Sequence, residues 1–430
     1  MSTHGIPRII DCSMNVNEKI VLPRGCLEDV KEFLTSESIQ VELIDHTFEG
    51  STLEANFEGE LTAQQSEALS TILQHNTGVI SATTGFGKTV LAASLIAERK
   101  VNTLIIVHRT QLMKQWIEQL SGFLQIPSKE IGQIGGGKNN VIGNIDIATI
   151  QSLNHNGQLK SFITQYGQVI VDECHHISAF SFEQVLRHIR AKFVHGLTAT
   201  PIRKDGLHPI IFMQCGPIRY KVDGKSQAKV RPYVHSLTRR KTNFNSSALE
   251  LPALYRELAQ DEERNMLIFN DVLTNLEEGR FPIILTERIE HIEILTNLFQ
   301  GFSKNVIVLA GNLSKKEREQ NLQRLASLPN DAERLVIAIG KYIGEGFDYA
   351  PLDTLFLAMP ISWKGTLQQY VGRLHRLHET KQEVRVYDYV DHNVEILQKM
   401  FEKRLVGYKS MGYSEKNEKT SIIKEQMRLF

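Results

Sequence analysis

The sequence predicts an α/β chain of two tandem domains with parallel sheets, preceded by a small α+β N-terminal domain. Three observations carry that prediction. From Leu61 onward, short apolar runs alternate with amphipathic helical stretches, the pattern of βα units. A glycine-rich loop, Ala82-Thr83-Thr84-Gly85-Phe86-Gly87-Lys88-Thr89, follows the first of these runs. After about residue 253 the alternation resumes without a second such loop, so the architecture repeats while the loop does not.

Length and composition set the outer limits. At 430 residues the chain can hold two or three domains, each with its own core. Basic and acidic residues both number 49, so a nucleic-acid partner must be held in a local groove rather than by an overall basic field. Cys12, Cys26, Cys174 and Cys215 lack metal-ligand or disulfide-framework spacing and read as reduced core or near-core thiols of a cytosolic protein. There is no apolar run of about 18 residues and no apolar signal segment, and no membrane is expected.

Taken in order, residues 1–58 read as the small accessory domain. An alternating stretch at Lys19–Leu22, a helical pattern through Leu27, Val30 and Leu34, and a second alternating strand at Ile39–Ile44 compose it. Eleven acids stand there against four basic residues, a net −7 that suits packing or substrate positioning better than a grip on phosphate. The turn Pro23-Arg24-Gly25 and Phe48 or Phe57 are candidates for a working edge at a duplex junction.

Residues 59–240 form the first sheet domain, with strands at Thr77–Ser81, Thr103–Val107, Ile145–Ile150, Val169–Val171 and Phe193–Leu197. Helices run over Val90–Arg99 and Gln111–Phe123, the latter carrying Trp116 as a core residue. Gly135-Gly136-Gly137-Lys138 reads as a turn. Residues 241–252 read as a linker, 253–410 as the second domain, and 411–430 as a tail. Strands are expected there at Pro282–Thr286, Val306–Leu309, Arg334–Ile339, Thr354–Ala358 and Val384–Tyr389.

The chemistry begins at the glycine-rich loop. Glycines let backbone N–H groups close around phosphates, Lys88 reaches the β- and γ-phosphates, and the Thr89 hydroxyl holds Mg²⁺. Some eighty residues on, an apolar strand ends in Asp172-Glu173, where an α/β sheet presents its ligands. Asp172 can hold the magnesium and Glu173 can deprotonate the attacking water. In Gln369-Tyr370-Val371-Gly372-Arg373-Leu374-His375-Arg376, two arginines three apart share a helical face and can reach a γ-phosphate.

The full set of motifs resembles superfamily-two helicases of the DExH kind. It comprises Gln65, the loop at 82–89, Val107-His108-Arg109, Ala148–Leu153, Asp172-Glu173-Cys174-His175-His176, Thr198-Ala199-Thr200-Pro201 and the arginine motif, in the expected order over roughly residues 60–395. The likeness is to XPB-type repair helicases and their shorter bacterial and phage relatives, including restriction-subunit and branch-migration enzymes. It implies two RecA-like domains, ATP and Mg²⁺ as cofactors, and DNA (single-stranded, forked or branched) as partner. It further implies a chain that acts as a monomer on DNA in the cytoplasm of a bacterial or phage-infected cell, with a possible nuclease or replication and repair partner.

Carried over by residue, the resemblance implies that Gln65 reads adenine while Thr84, Gly85, Phe86, Gly87, Lys88, Thr89, Asp172 and Glu173 bind and hydrolyse ATP. His175 with Thr198 and Thr200 couples hydrolysis to movement, and Gln369, Arg373 and Arg376 sense the γ-phosphate. Nucleic-acid contacts fall to Arg109, Gly136, Lys138, Thr149 and Arg203, then to Arg288, Gly311 and Lys341. Lys341 lies in the 340–348 loop, which as a whole is assigned to the nucleic acid and whose Gly346 and Asp348 also belong with the nucleotide. Two departures stand out. Arg203-Lys204-Asp205 has a lysine where XPB-type proteins carry an acid, and Ile339-Gly340 lacks the threonine that many relatives place after the strand.

The resemblance implies a helicase or translocase for branched DNA in replication, recombination or repair. The alternatives are the motor subunit of a restriction or defence assembly and an RNA helicase.

Overall fold

The computed structural model describes residues 9–415 except 156, 177, 178, 203, 204, 249, 345, 346, 348, 362 and 363. Of the residues singled out above, Arg203, Gly346 and Asp348 lie outside the described residues, as does the side chain of Lys341. The chain divides into two compact units, the first ending at Val222 and the second starting at Asp223. Among the described residues no helix is long and apolar enough to cross a membrane.

In the first unit eight strands form one sheet, in the order Ile218–Lys221, Thr77–Ser81, Phe193–Thr198, Gln168–Val171, Thr103–Val107, Ile145–Thr149, Ile131–Gly135 and Lys138–Asn140. Only the last pair is antiparallel. Thr103–Val107 and Ile145–Thr149 are buried along their whole length, because helices cover both faces of the sheet. Ile105 and Val107 pack with helices Lys88–Arg99 and Thr110–Leu124, whereas Leu104 and Ile106 face the other way onto Phe182, Val185 and Ile210.

The strand order matters for chemistry. Thr77–Ser81, Phe193–Thr198 and Gln168–Val171 are three parallel neighbours, in register Ser81 to Thr198 and Val171 to Gly196. Their carboxyl ends, which lead into the glycine-rich loop, Thr198-Ala199-Thr200 and Asp172-Glu173, therefore lie side by side.

The N-terminal segment departs from the expected separate domain. It opens with a hairpin, Met14–Val16 with Lys19–Val21, closed by Asn17 and Glu18 at φ 48° and 62°. Helix Leu27–Ser36 follows, but Ile39–Ile44 forms no strand and lies exposed, since an alternating pattern without a neighbouring edge has nothing to bond to. The segment is built onto the first unit. Arg24 donates to the carbonyls of Ala191 (2.9 Å) and Ile189, and a Cβ on Gly25 would come 2.1 Å from the Phe212 carbonyl oxygen. Leu53 and Ala55 belong to the first unit's core. Of the proposed working edge, the Pro23–Gly25 turn is packed and Phe57 is half-buried, stacked 6.0 Å from Phe123, while Phe48 stays 38% exposed.

Gly135–Lys138 is more than a turn. Ile131–Gly135 and Lys138–Asn140 make a hairpin with Gly136 and Gly137 at φ 61° and 85°. The turn needs left-handed backbone at both positions, which glycine adopts without a Cβ penalty.

The second unit holds one seven-stranded sheet, parallel throughout: Val306–Leu309, Leu335–Ile339, Pro282–Thr286, Thr354–Leu357, Glu383–Val390, Val234–Lys241 and Ser414–Glu415. Residues 234–241, expected to end the first domain, are thus a strand of the second sheet. Its basic residues are paired, Arg240 Nε to Asp271 Oδ2 at 2.9 Å and Arg239 to Glu415 at 2.5 Å. The stretch expected as a linker also packs here: Thr242 Oγ1 donates to Asp391 Oδ1 at 2.7 Å and Phe244 is buried with Leu254 and Leu258. Helix Glu395–Ser410 is held by a buried ion pair, Arg404 Nε to Asp388 Oδ2 at 2.7 Å, with the Tyr408 hydroxyl on the same oxygen.

Candidate active site

The loop after strand Thr77–Ser81 turns sharply. Gly85 and Gly87 stand at φ 83° and 87°, and helix Lys88–Arg99 begins at once. Its first-turn amides therefore open onto the loop, as an anion site requires. A Cβ on Gly87 would meet Gln65 Nε2 at 2.4 Å. Gln65 itself is buried and doubly engaged: its Oε1 accepts from Thr62 N (2.8 Å) in a capping box, and its Nε2 donates to the Phe86 carbonyl (2.7 Å). The residue expected to read the base is thus tied to the loop that cradles the phosphates. Thr84, Gly85 and Thr89 are half-buried on this loop and Phe86 is buried beneath it.

Asp172 and Glu173 arrive from the next strand but one. Lys88 Nζ lies 2.5 Å from Glu173 Oε1. Glu173 takes φ 45°, a region that costs a non-glycine residue on the order of 1 kcal/mol or more. Its carboxylate is fixed there by Lys88, by His175 Nδ1 at 3.3 Å and by the Ala199 amide at 3.4 Å. His175 Nδ1 also lies 2.7 Å from Thr198 Oγ1, which accepts from Thr200 N at 3.1 Å. The structure therefore joins the water-activating candidate to His175, Thr198 and Thr200 in one bonded chain across two adjacent strand ends, with Lys88 reaching it from a third.

Sequence reasoning missed the partner of Asp172. Trp116 is buried, as expected of a core residue, yet its indole Nε1 donates to Asp172 Oδ2 at 2.8 Å. The Glu173 amide donates to the other oxygen at 3.0 Å. A tryptophan in an apolar helix pattern gives no sign of a polar contact 56 residues away; the only available signal was that a buried indole N–H needs an acceptor. Burial pushes the Asp172 carboxyl up to about 6, aided by the neighbouring Glu173 and opposed by Lys88 and by the Trp116 hydrogen bond.

A divalent cation needs the ionised form. Magnesium-nucleotide affinity should therefore fall as pH drops below about 6. The stability contribution runs the other way: the folded chain holds this proton more tightly than the unfolded one, so the group favours folding at low pH and ceases to as pH rises through about 6. Trp116→Phe removes a donor to the charged form and should weaken magnesium-nucleotide binding about tenfold at pH 7, and further at pH 6. Titration with a fluorescent nucleotide at both values checks this, and an unchanged affinity would remove Trp116 from the site.

The nucleic-acid candidates of the first unit sit beyond neighbouring strands. Arg109 is exposed at the start of helix Thr110–Leu124, and Gly136 and Lys138 are exposed on the hairpin. Thr149 differs: it is buried, with its hydroxyl 2.6 Å from Ser152 Oγ. Arg288 is half-buried before helix Ile289–Phe299, near the Pro252 carbonyl and Glu290, and Gly311 is exposed beside Tyr342.

In the second unit, helix Lys364–Gly372 carries Gln369, half-buried, and stops at Gly372. Arg373–His375 is a single 3₁₀ turn and Arg376 is extended (φ −63°, ψ 133°). The expected shared α-helical face is thus replaced by a single turn that carries Arg373 and by an extended Arg376 after it. Both arginines are half-buried. The absent threonine after Ile339 also has a physical reason. Residues Gly340–Gly344 are a short helix rather than a loop, and a Cβ at Gly340 would stand 1.9 Å from the Tyr370 hydroxyl. Tyr370 occupies the space a larger residue needs.

Residues 58–203 match the family described as type III restriction enzyme, res subunit, and residues 263–378 match the helicase conserved C-terminal domain. The putative helicase 161L of Invertebrate iridescent virus 6 is 32% identical over 396 residues, covering 85% of each chain. The DNA 3'-5' translocase XPB2 of Sulfurisphaera tokodaii is 29% identical over 360 residues, 75% of this chain and 79% of that one. S. cerevisiae Dbp5 bound to RNA and ADP BeF3 is similar in fold, with a TM-score of 0.58 at 14% identity, over 86% of this chain and 93% of that one.

Proposed function

The chain belongs to the superfamily-two helicases, and from that premise we propose that it is an ATP-driven motor that moves along single-stranded DNA and remodels forked or branched junctions. The observation that carries the motor is the bonded chain from Lys88 through Glu173 to His175, Thr198 and Thr200. It links the phosphate loop to the end of strand Gln168–Val171, whose neighbour Thr103–Val107 leads to Arg109; the Gly136–Lys138 hairpin begins two strands further along the same sheet. DNA as the track is supported by the likeness to XPB2, named a DNA translocase, over three quarters of this chain.

The residues fit a magnesium nucleotide. Lys88 and the amides of the loop bind phosphate, Thr89 and Asp172 hold the cation, and Glu173 accepts the proton of the attacking water. The cation would neutralise charge developing on the phosphates. Glu173 is then relieved of Lys88, and any change at its carboxylate reaches His175 and Thr198 through bonds already formed. Contacts to backbone phosphates make movement largely independent of sequence and strongly dependent on salt.

The test is ATP hydrolysis stimulated by single-stranded, forked and duplex DNA and by RNA at one salt concentration. Single-stranded and forked DNA should stimulate most. Stimulation by RNA alone would overturn the DNA assignment, and equal action on single strands and forks, without fork processing, would overturn the junction role.

A further inference from the structure

The turn that carries Arg373 and Arg376 ends with three consecutive carbonyls, those of Leu374, His375 and Arg376. Side chains from elsewhere bond all three. Lys381, 5% exposed, donates its Nζ to Leu374 O at 2.8 Å and to Arg376 O at 2.9 Å. The Tyr233 hydroxyl donates to His375 O at 2.7 Å. Helix ends leave such carbonyls without intrahelical partners, and a cation there also complements the helix dipole. Between the arginines, His375 is buried, its Nε2 3.0 Å from the Tyr413 hydroxyl and its ring 5.2 Å from His235.

The two donors have a common base. Tyr233 directly precedes strand Val234–Lys241 and Lys381 precedes strand Glu383–Val390, and these strands pair with Val234 opposite Glu383. The arginine turn is therefore pinned to the starts of two bonded strands rather than left as a free loop.

We propose that Lys381, with Tyr233, is a positioning residue that fixes the backbone of Arg373–Arg376 so that both guanidinium groups are presented in one geometry. The proposal rests on the reading that these arginines act on the γ-phosphate. Lys381 and Tyr233 are both buried and act through the carbonyls of the turn. Their effect falls on the rate at saturating ATP, because a displaced arginine costs transition-state contacts and not ground-state binding.

The experiment measures DNA-stimulated kcat and nucleotide Kd in the full chain for Lys381→Met, Lys381→Arg, Tyr233→Phe, Arg376→Ala and the Lys381→Met/Arg376→Ala double variant. Lys381→Met should lower kcat about 10²-fold with Kd within about threefold, the scale expected for a misplaced catalytic group. Lys381→Arg, which keeps a cation in reach of the carbonyls, should recover about tenfold of that, and Tyr233→Phe should lose about fivefold. The double variant should lose clearly less than the product of the two single effects, since Arg376 cannot be lost twice while a displaced Arg373 still costs rate. Multiplying effects, or native kcat in Lys381→Met, would overturn the proposal while leaving the arginines' role standing. Native kcat in Arg376→Ala would overturn the arginine assignment and this proposal with it. Should Lys381→Met fail to fold, Tyr233→Phe decides: it removes a single hydroxyl, and a kcat within about twofold of native would count against the pinning.

Discussion

Glu173→Gln should bind ATP at least as tightly as the native chain and hydrolyse it on the order of 10²–10⁴ times more slowly, the range for loss of a general base. Two parts of the geometry make the split sharp. Lys88 Nζ sits 2.5 Å from Glu173 Oε1, so the carboxylate competes with phosphate for the lysine. Removing its charge frees Lys88 and favours binding, while the amide can no longer take the water's proton. Lys88→Ala, by contrast, should lose both binding and turnover. Single-turnover hydrolysis and equilibrium nucleotide binding separate the two outcomes. Native turnover in Glu173→Gln would reassign the base.

Arg373→Ala and Arg376→Ala should each keep ATP affinity within about tenfold and reduce DNA-stimulated kcat on the order of 10³-fold, the lower end for an arginine that meets charge only as it develops. Such a residue adds little to the ground state. If affinity and turnover fall together, the turn has a structural role instead. On the proposed role, the stimulated and basal rates should also converge in these variants.

What the sequence reveals follows from how each element is covered. Thr77–Ser81, Thr103–Val107 and Pro282–Thr286 are central parallel strands sealed on both faces, so their apolar runs are legible without any partner. Val234–Lys241 is not: its second half is Thr-Arg-Arg-Lys, and it is a strand because all eight residues pair with Glu383–Val390, with Asp271 and Glu415 partnering Arg240 and Arg239. Ile39–Ile44 errs the other way, with a strand-like pattern and no edge to join. The phosphate loop and Asp172-Glu173 are legible because their chemistry is local and ordered. Trp116 on Asp172 and Lys381 on the arginine turn are tertiary contacts, which leave no mark on spacing.

The order of strands in the first sheet bears on how the chain comes to be folded at all. Ile218–Lys221 pairs with Thr77–Ser81, so the last strand of the unit completes the bonding of the first. Until about residue 221 has been synthesised, the strand leading into the phosphate loop is an unpaired edge, and closure spans some 140 residues. Such long-range parallel pairing is slow. A chain cut before Ile218 should therefore expose a sticky edge and aggregate, whereas one cut after Val222 retains every partner in its sheet.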